Sequence, residues 1–98
     1  MTERKMLQAI GKNIRAARLK AGLTQECLAE LLGLHWQTVS NMERGVHPFS
    51  ITTFALISQY LEAEPRDLLS GIPAPDNERA DRIKRALARR RKPGKEGA

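Results

Sequence analysis

The stretch that most constrains the fold of this chain runs from Thr24 to Gly45, TQECLAELLGLHWQTVSNMERG. Thr24 is a good helix N-cap, and Leu28 and Leu32 follow it at the spacing of one buried helix face. Gly33 stands where a helix must end in a left-handed backbone conformation. The sequence therefore predicts a short helix that ends in a sharp reversal of the chain.

A second helix is predicted to follow this turn, from Trp36 to Arg44. Its apolar residues Val39 and Met42 share one face, and its polar residues share the other. The polar face carries Gln37, Ser40, Asn41 and Arg44. Two short helices joined in this way form a helix-turn-helix arrangement, in which the second helix enters the major groove of DNA.

Three groups of residues stand at the spacing used by one known family. They are Arg18-x3-Gly22-Leu23-x-Gln25, Leu28-Ala29-x2-Leu32-Gly33 and Val39-Ser40-x2-Glu43-Arg44-Gly45. Two further groups, Ser50-Ile51-x-Thr53-Phe54-x2-Ile57 and Asp67-Leu68-Leu69, extend the match to roughly residues 7–70. The chain thus resembles the lambda-repressor-like, Xre-type helix-turn-helix regulators. The resemblance implies an all-α, five-helix domain that binds double-stranded DNA, followed by a basic extension that is helical or disordered.

Length and composition indicate one small domain. The 98 residues suffice for one modest core, and with only 4% aromatic residues the packing must come from Leu, Ile and Ala. We expect a DNA-binding domain over residues 6–70, a linker over 71–75 and a basic extension over 76–98. One cysteine excludes an internal disulfide, and no Cys/His cluster has metal-binding spacing, so we expect neither a metal nor a cofactor. The absence of a signal peptide and of a membrane span favours a cytoplasmic protein.

The remaining helices are predicted from apolar periodicity and capping residues. A first helix is expected over residues 6–21, ended by Gly22. His35 stands where Ser or Thr usually caps the second helix of the motif, and histidine is expected to cap it poorly. A fourth helix is expected after the cap Ser50, and Pro65 should open a short fifth helix. Apolar residues that the predicted core does not require suggest a dimer surface near these last two helices.

Charge is distributed unevenly along the chain. The net charge is +6, but residues 1–75 hold eight Lys/Arg against seven Asp/Glu, whereas residues 76–98 hold nine against four. Most non-specific attraction to phosphate should therefore come from the extension, above all from Arg89, Arg90, Arg91 and Lys92. A helix over about 77–91 would be marginal alone and needs a surface. That surface is its twin in a homodimer, the phosphate backbone or another protein; a solvated tail is the remaining alternative.

Two amide side chains are the strongest candidates for reading bases. Gln37 and Asn41 lie four residues apart on one helix face, and each amide can pair with adenine N6 and N7. Trp36 could pack on a thymine methyl group, or it could fold back over the edge of the domain. Ser40 is a further candidate for a base or phosphate contact.

The family resemblance also implies phosphate contacts and one structural ion pair. Gln25, at the start of a helix, is expected to contact the DNA backbone, together with Arg44, Arg15 and Thr38. Arg18 and Glu43 are expected to pair and to join the first helix to the third. The alternative is that these two charges are independent surface groups.

These features predict a dimeric, sequence-specific DNA-binding regulator, and a repressor is the first hypothesis for its role. An antitoxin-like or adaptor protein is the alternative, in which the extension over 76–98 binds another protein and DNA binding serves autoregulation. An enzyme is not expected, because no catalytic set of nucleophile, base or paired carboxylates stands out.

Overall fold

The computed structural model describes residues 2–73 and 77–90. Over these ranges the chain forms six helices and no strand, so the predicted all-α class is confirmed. The helices are α1 (Thr2–Lys20), α2 (Gln25–Leu32), α3 (Trp36–Arg44), α4 (Ile51–Leu61), α5 (Pro65–Leu68) and α6 (Asn77–Arg90). Arg91 and Lys92, predicted to attract phosphate, lie outside the described residues.

Helix α1 is longer at its start than the sequence pattern predicted. It begins at Thr2 rather than at residue 6, and it ends at Lys20, one residue before the predicted end. The segment before Met6 contains neither Gly nor Pro, and Glu3 suits the positive end of the helix dipole. Apolar periodicity begins only near Met6, so this first turn carried no periodic signal.

The predicted turn between α2 and α3 is confirmed. The Thr24 hydroxyl oxygen accepts a hydrogen bond from the Cys27 backbone N–H at 3.0 Å. Gly33 adopts φ +70°, and the Leu34 N–H donates to the carbonyl of Ala29 at 2.9 Å. This is the pattern of a helix closed by a left-handed glycine, and it reverses the chain toward α3.

The start of α3 corrects the expectation that His35 caps poorly. The His35 Nδ1 atom accepts a hydrogen bond from the Gln37 backbone N–H at 3.2 Å. An imidazole nitrogen with a lone pair can take the place of a hydroxyl oxygen when the ring turns back over the first helical turn. Helix α3 therefore begins with a side-chain cap, as α2 and α4 do.

The core is formed by α1 to α5. Its buried apolar residues are Ile14, Leu28, Ala29, Val39, Met42, Phe54, Ile57, Leu61 and Leu68. The Asn13 side-chain amide ties α1 to the end of α5, because it donates to the backbone carbonyls of Leu68 at 2.9 Å and Ser70 at 2.7 Å. Leu68, in α5, is buried in this core, whereas Tyr60, near the end of α4, is exposed.

Helix α6 contributes no residue to this core. Its two largest apolar side chains, Ile83 and Leu87, remain about two-fifths exposed, at 44% and 43%. In the described parts of the chain, no helix combines the length and the apolar character needed to cross a membrane.

Candidate nucleic-acid interface

Two glycines allow the backbones of α1 and α3 to meet. A Cβ atom at Gly11 would lie 2.5 Å from the carbonyl oxygens of Met42 and Glu43. Gly45 ends α3 with φ +70°, and a Cβ there would lie 2.6 Å from the backbone N and Cα of Gln8. Side chains at these positions would push the helices apart. The orientation of α3 on the domain therefore depends on direct backbone contact with α1.

The structure brings Arg18 and Glu43 together beneath the C-terminal end of α3. The Arg18 Nε and Nη2 atoms donate to the two carboxylate oxygens of Glu43, at 2.6 and 3.1 Å. Nη1 donates to the carbonyl of Leu23 at 2.8 Å. Both charged side chains are more than nine-tenths buried. This two-pronged, charge-assisted contact joins α1, the α1–α2 turn and α3.

Gln25 belongs to the same hydrogen-bonded group. Its Nε2 atom donates to Glu43 Oε1 at 3.1 Å, and its side chain is half-buried at the start of α2. One amide hydrogen is thereby engaged, and the second remains available to an oxygen acceptor. Any phosphate contact made by Gln25 would therefore be tied to the position of α3, although this contact stays a prediction.

The outward face of α3 carries the predicted base-reading residues. Gln37 and Thr38 are exposed, Ser40 and Asn41 are half-buried, and Val39 on the opposite face is fully buried. Within residues 2–73 and 77–90, no group hydrogen-bonds to the Gln37 side-chain amide. A polar group with unmet hydrogen-bonding capacity thus projects from a helix whose other face is fixed in the core.

Asn41 is oriented by its neighbour Arg44. The Arg44 Nη2 atom donates to Asn41 Oδ1 at 2.6 Å, and Arg44 itself is exposed. The contact fixes the direction of the Asn41 amide while one lone pair on Oδ1 and both N–H groups remain available. Sequence spacing placed these residues on one face but gave no sign of this contact.

Trp36 lies at the start of α3 with 44% of its surface exposed. Its ring stacks beside the ring of His35, with centroids 6.0 Å apart and planes inclined by 29°. The tryptophan is therefore not part of the buried core. Its apolar ring remains accessible at the end of α3 that the motif directs toward DNA.

The structure adds two cations that the sequence analysis did not select. Lys5 and Lys12 line one groove together with Arg44 and the backbone around Ser70. The two lysines are seven residues apart and so share a face of α1. The sequence could not show that this face adjoins the end of α3, and Lys5 lay outside the predicted helix. Arg15 is exposed on α1 but does not line this groove.

A helix-turn-helix fixed on a small helical core, with polar groups on the outer face of its second helix, defines a DNA-binding domain. Residues 14–69 match the family model described as helix-turn-helix, HTH_3, and the chain belongs to this family. It is therefore a DNA-binding transcription regulator rather than an enzyme.

Particular relatives support this assignment. The chain is 38% identical over 60 residues to the control protein C.BamHI of Bacillus amyloliquefaciens, covering 60% of this chain and 74% of that protein. The crystal structure of the restriction-modification controller protein C.AhdI from Aeromonas hydrophila is similar, with a TM-score of 0.59 and 37% identity over 63% of this chain and 94% of that one. The crystal structure of the clp gene regulator ClgR from Corynebacterium glutamicum is also similar, with a TM-score of 0.64 and 26% identity. The match covers 86% of this chain and 87% of that one.

Proposed function

We propose that this protein is a homodimeric repressor or controller that reads a roughly palindromic operator with α3 in the major groove. The observation that carries this proposal is the exposed Gln37 amide, which has no hydrogen-bond partner among the described residues and projects from a helix held rigidly from beneath. Rigid placement matters because a base edge is distinguished only when donor and acceptor are both aligned.

The two amides could recognise adenine through the same pair of hydrogen bonds, although only Asn41 is already oriented by a neighbouring side chain. Gln37 can offer its carbonyl oxygen to N6 and its N–H to N7 of adenine. Asn41 can make the same pair of bonds with its remaining lone pair and N–H groups, because Arg44 already directs its oxygen. The Trp36 ring could pack on a thymine methyl group, and the Ser40 hydroxyl could hydrogen-bond to a base or a phosphate.

Phosphate contacts would hold the domain in register on the duplex. Arg44, Lys5 and Lys12 form one cationic patch at the end of α3. Gln25, Thr38 and Arg15 are the other proposed phosphate ligands. Contacts of this kind orient a protein on DNA without distinguishing sequences, so specificity rests on α3.

A dimer would place two copies of α3 in successive major grooves. Half-sites about 10 base pairs apart, or a multiple of this, follow from the helical repeat of DNA. Because C.BamHI is named as a control protein and C.AhdI as a restriction-modification controller protein, we propose the same controlling role for this chain. A cytoplasmic location follows from such a role.

Selection of bound duplexes from a random pool, at two salt concentrations, tests this proposal. The wild-type chain should enrich one palindromic sequence at both concentrations. Gln37→Ala should relax the preference at one base pair per half-site, at a cost of about 1–3 kcal/mol in discrimination. The matched control is Gln59→Ala, which removes an exposed glutamine from α4 instead of α3 and should leave the selected sequence unchanged. Uniform binding of all duplexes by the wild-type chain would refute the proposal.

A second candidate is an antitoxin-like or adaptor role, in which residues 76–98 bind another protein. The exposed apolar side chains of α6 favour it. Such a helix should gain order when a partner is added, and DNA binding would then depend on that partner.

A further inference from the structure

One face of α1 is divided into two grooves by the chain that follows α5. The crossing point is Asn13, whose amide holds the backbone carbonyls of Leu68 and Ser70. Toward the start of α1, the groove contains Lys5 and Lys12. Toward the end of α1, the other groove contains Lys20 and the small residues Ala16, Ala17 and Ala21.

The groove toward the end of α1, here called the acidic groove, combines an apolar floor with a negative rim. Its floor includes the alanines of α1 together with Leu23, Leu31 and Tyr60. Leu31 and Tyr60 are both more than two-fifths exposed, although they are large and apolar. Its rim carries Glu62, Glu64 and Asp67, against one lysine, Lys20. Such a surface suits an amphipathic helix with a basic border.

Helix α6 has this character on one face. Ala80, Ile83 and Leu87 recur at three- and four-residue steps and form a narrow apolar stripe. Lys84 on one side, and Arg79 and Arg90 on the other, border that stripe. Both acidic residues of the helix lie on the opposite face, where Glu78 pairs with Arg82 at 3.8 Å. The apolar stripe is therefore bordered only by positive charge.

We propose that α6 of one copy docks in the acidic groove of a second copy, and that the exchange is reciprocal. The apolar stripe would cover the alanines, Leu31 and Tyr60, while Lys84 and Arg90 would face the acidic rim. The contact rests on the dimer proposed above and identifies the element that assembles it. Two identical contacts would arise from one two-fold axis.

The path of the chain argues for a second copy rather than the same chain. After the crossing at Asn13, Gly71 and Pro73 lie in the groove with Lys5 and Lys12. Helix α6 carries six basic residues against two acidic ones, so this adjoining groove repels it. From Pro73 to Asn77 the chain can span at most roughly 14 Å, even when it is fully extended. To reach its own acidic groove, it would have to turn back across α5 within that length.

Docking also supplies what α6 lacks as an isolated element. Fourteen residues are near the lower limit for a helix that is stable alone in water. Binding to DNA phosphate would use every basic face of α6 equally and would leave Ile83 and Leu87 in water. A groove with matching charge and an apolar floor accounts for both the stripe and its basic border.

Two matched charge reversals test which face of α6 is used. Lys84→Glu with Arg90→Glu reverses the border of the stripe, whereas Arg85→Glu with Arg89→Glu makes the same change in net charge on the opposite face. Dimerisation of the full chain is measured by sedimentation equilibrium without DNA. The first pair should weaken dimerisation on the order of tenfold or more, and the second should change it less than about threefold. If the wild type dimerises and the two variant pairs weaken dimerisation equally, or neither weakens it, the docking of α6 is overturned while the proposed dimer stands. A wild-type chain that stays monomeric would overturn the proposed dimer as well.

Mixing two variants tests whether docking occurs between copies. Glu64→Lys with Asp67→Lys reverses the rim at two exposed positions. This variant and the Lys84→Glu, Arg90→Glu variant should each dimerise weakly, but an equal mixture should form a heterodimer of wild-type strength, since both of its contacts are again complementary. Restoration only when all four substitutions are combined in one chain would indicate docking within a chain and would overturn the inference. Far-UV circular dichroism of each variant verifies that α1 to α5 remain folded.

Discussion

The helical body, α1 to α5, and the extension that includes α6 differ in almost every physical property. The body holds the buried core described above, and residues 1–75 are nearly balanced in charge. Helix α6 contributes nothing to that core, and it carries six basic residues against two acidic ones. The body owes its shape to burial, whereas α6 has too little apolar surface to define a fold of its own.

We propose that this difference separates two tasks in DNA binding, sequence recognition by the body and non-specific attraction by the extension. A nearly neutral body gains little from non-specific phosphate attraction, so its contribution rests on the positioning of α3. A cationic extension attracts any duplex, and this attraction weakens strongly as salt is added. The predictions below test this division, beginning with the largest expected effect.

Removing the buried charge of Glu43 should unfold the body. Glu43→Ala leaves the Arg18 guanidinium buried without its partner, which should cost about 3–5 kcal/mol of unfolding free energy. Chemical denaturation measures this change. Glu30→Ala, which removes an exposed glutamate from α2, is the matched control and should change the stability by less than about 0.5 kcal/mol. A mild effect of Glu43→Ala would mean that the ion pair does not hold α3 in place.

Neutralising the extension should weaken binding to all duplexes alike. Changing Arg89, Arg91 and Lys92 to Gln, while keeping Arg90 for the proposed dimer contact, should reduce the slope of log affinity against log salt by up to about 2.7, or about 0.9 for each phosphate that the variant no longer neutralises. Over a fourfold increase in salt, the wild type should therefore lose roughly fortyfold more affinity than this variant loses. Titrations at several salt concentrations provide the measurement.

A variant of the body provides the matching measurement of salt dependence. Changing Lys5 and Lys12 to Gln should reduce the slope by at most about 1.8. A larger effect from the two body lysines than from the three extension residues would reverse the proposed division of tasks.

Adding a methyl group at Gly11 should disturb the contact between α1 and α3. Gly11→Ala places a Cβ atom against two backbone carbonyls of α3, which cannot move as a flexible side chain would. We expect a destabilisation of about 1–3 kcal/mol despite the better helix propensity of alanine. Thermal stability and DNA affinity should both fall, while Lys12→Ala on the exposed side of α1 should leave thermal unfolding unchanged. An unaltered Gly11→Ala protein would show that the helices can separate at little cost.

The smallest expected effect concerns the cap of α3. His35→Ala removes the acceptor for the Gln37 N–H and should destabilise the body by about 0.5–1 kcal/mol. His35→Ser should restore the cap and with it the stability of the wild type. If His35→Ala and His35→Ser both match the wild type in chemical denaturation, the imidazole contributes no cap in solution.

Much of the fold was predictable because local chemistry dictates it. Thr24 and Ser50 cap helices whether or not the rest of the domain is known, and the left-handed turn at Gly33 requires glycine's backbone freedom. The stripes that include Leu28, Val39 and Ile57 mark the buried faces of their helices. The start of α1 was not predictable in this way, since an exposed helical turn without apolar residues has no periodic pattern.

The candidate site was predictable only in part. Spacing placed Gln37 and Asn41 on the outer face of α3, because the helical repeat alone decides which residues share a face. It could not show that Arg44 holds the Asn41 oxygen, or that His35 turns back to cap the helix, because those contacts depend on side-chain rotamers.

The sequence by itself determined where most of the helices lie, the caps Thr24 and Ser50, the turn at Gly33 and the uneven distribution of charge, since each depends on residues close together in the chain. Only the tertiary structure decided which distant groups meet. It set Gly11 against the end of α3, joined Gln25 to the Arg18–Glu43 pair, and divided the face of α1 into a basic and an acidic groove. The physical reason is that packing between helices fixes these distances, and no local pattern along the chain records them.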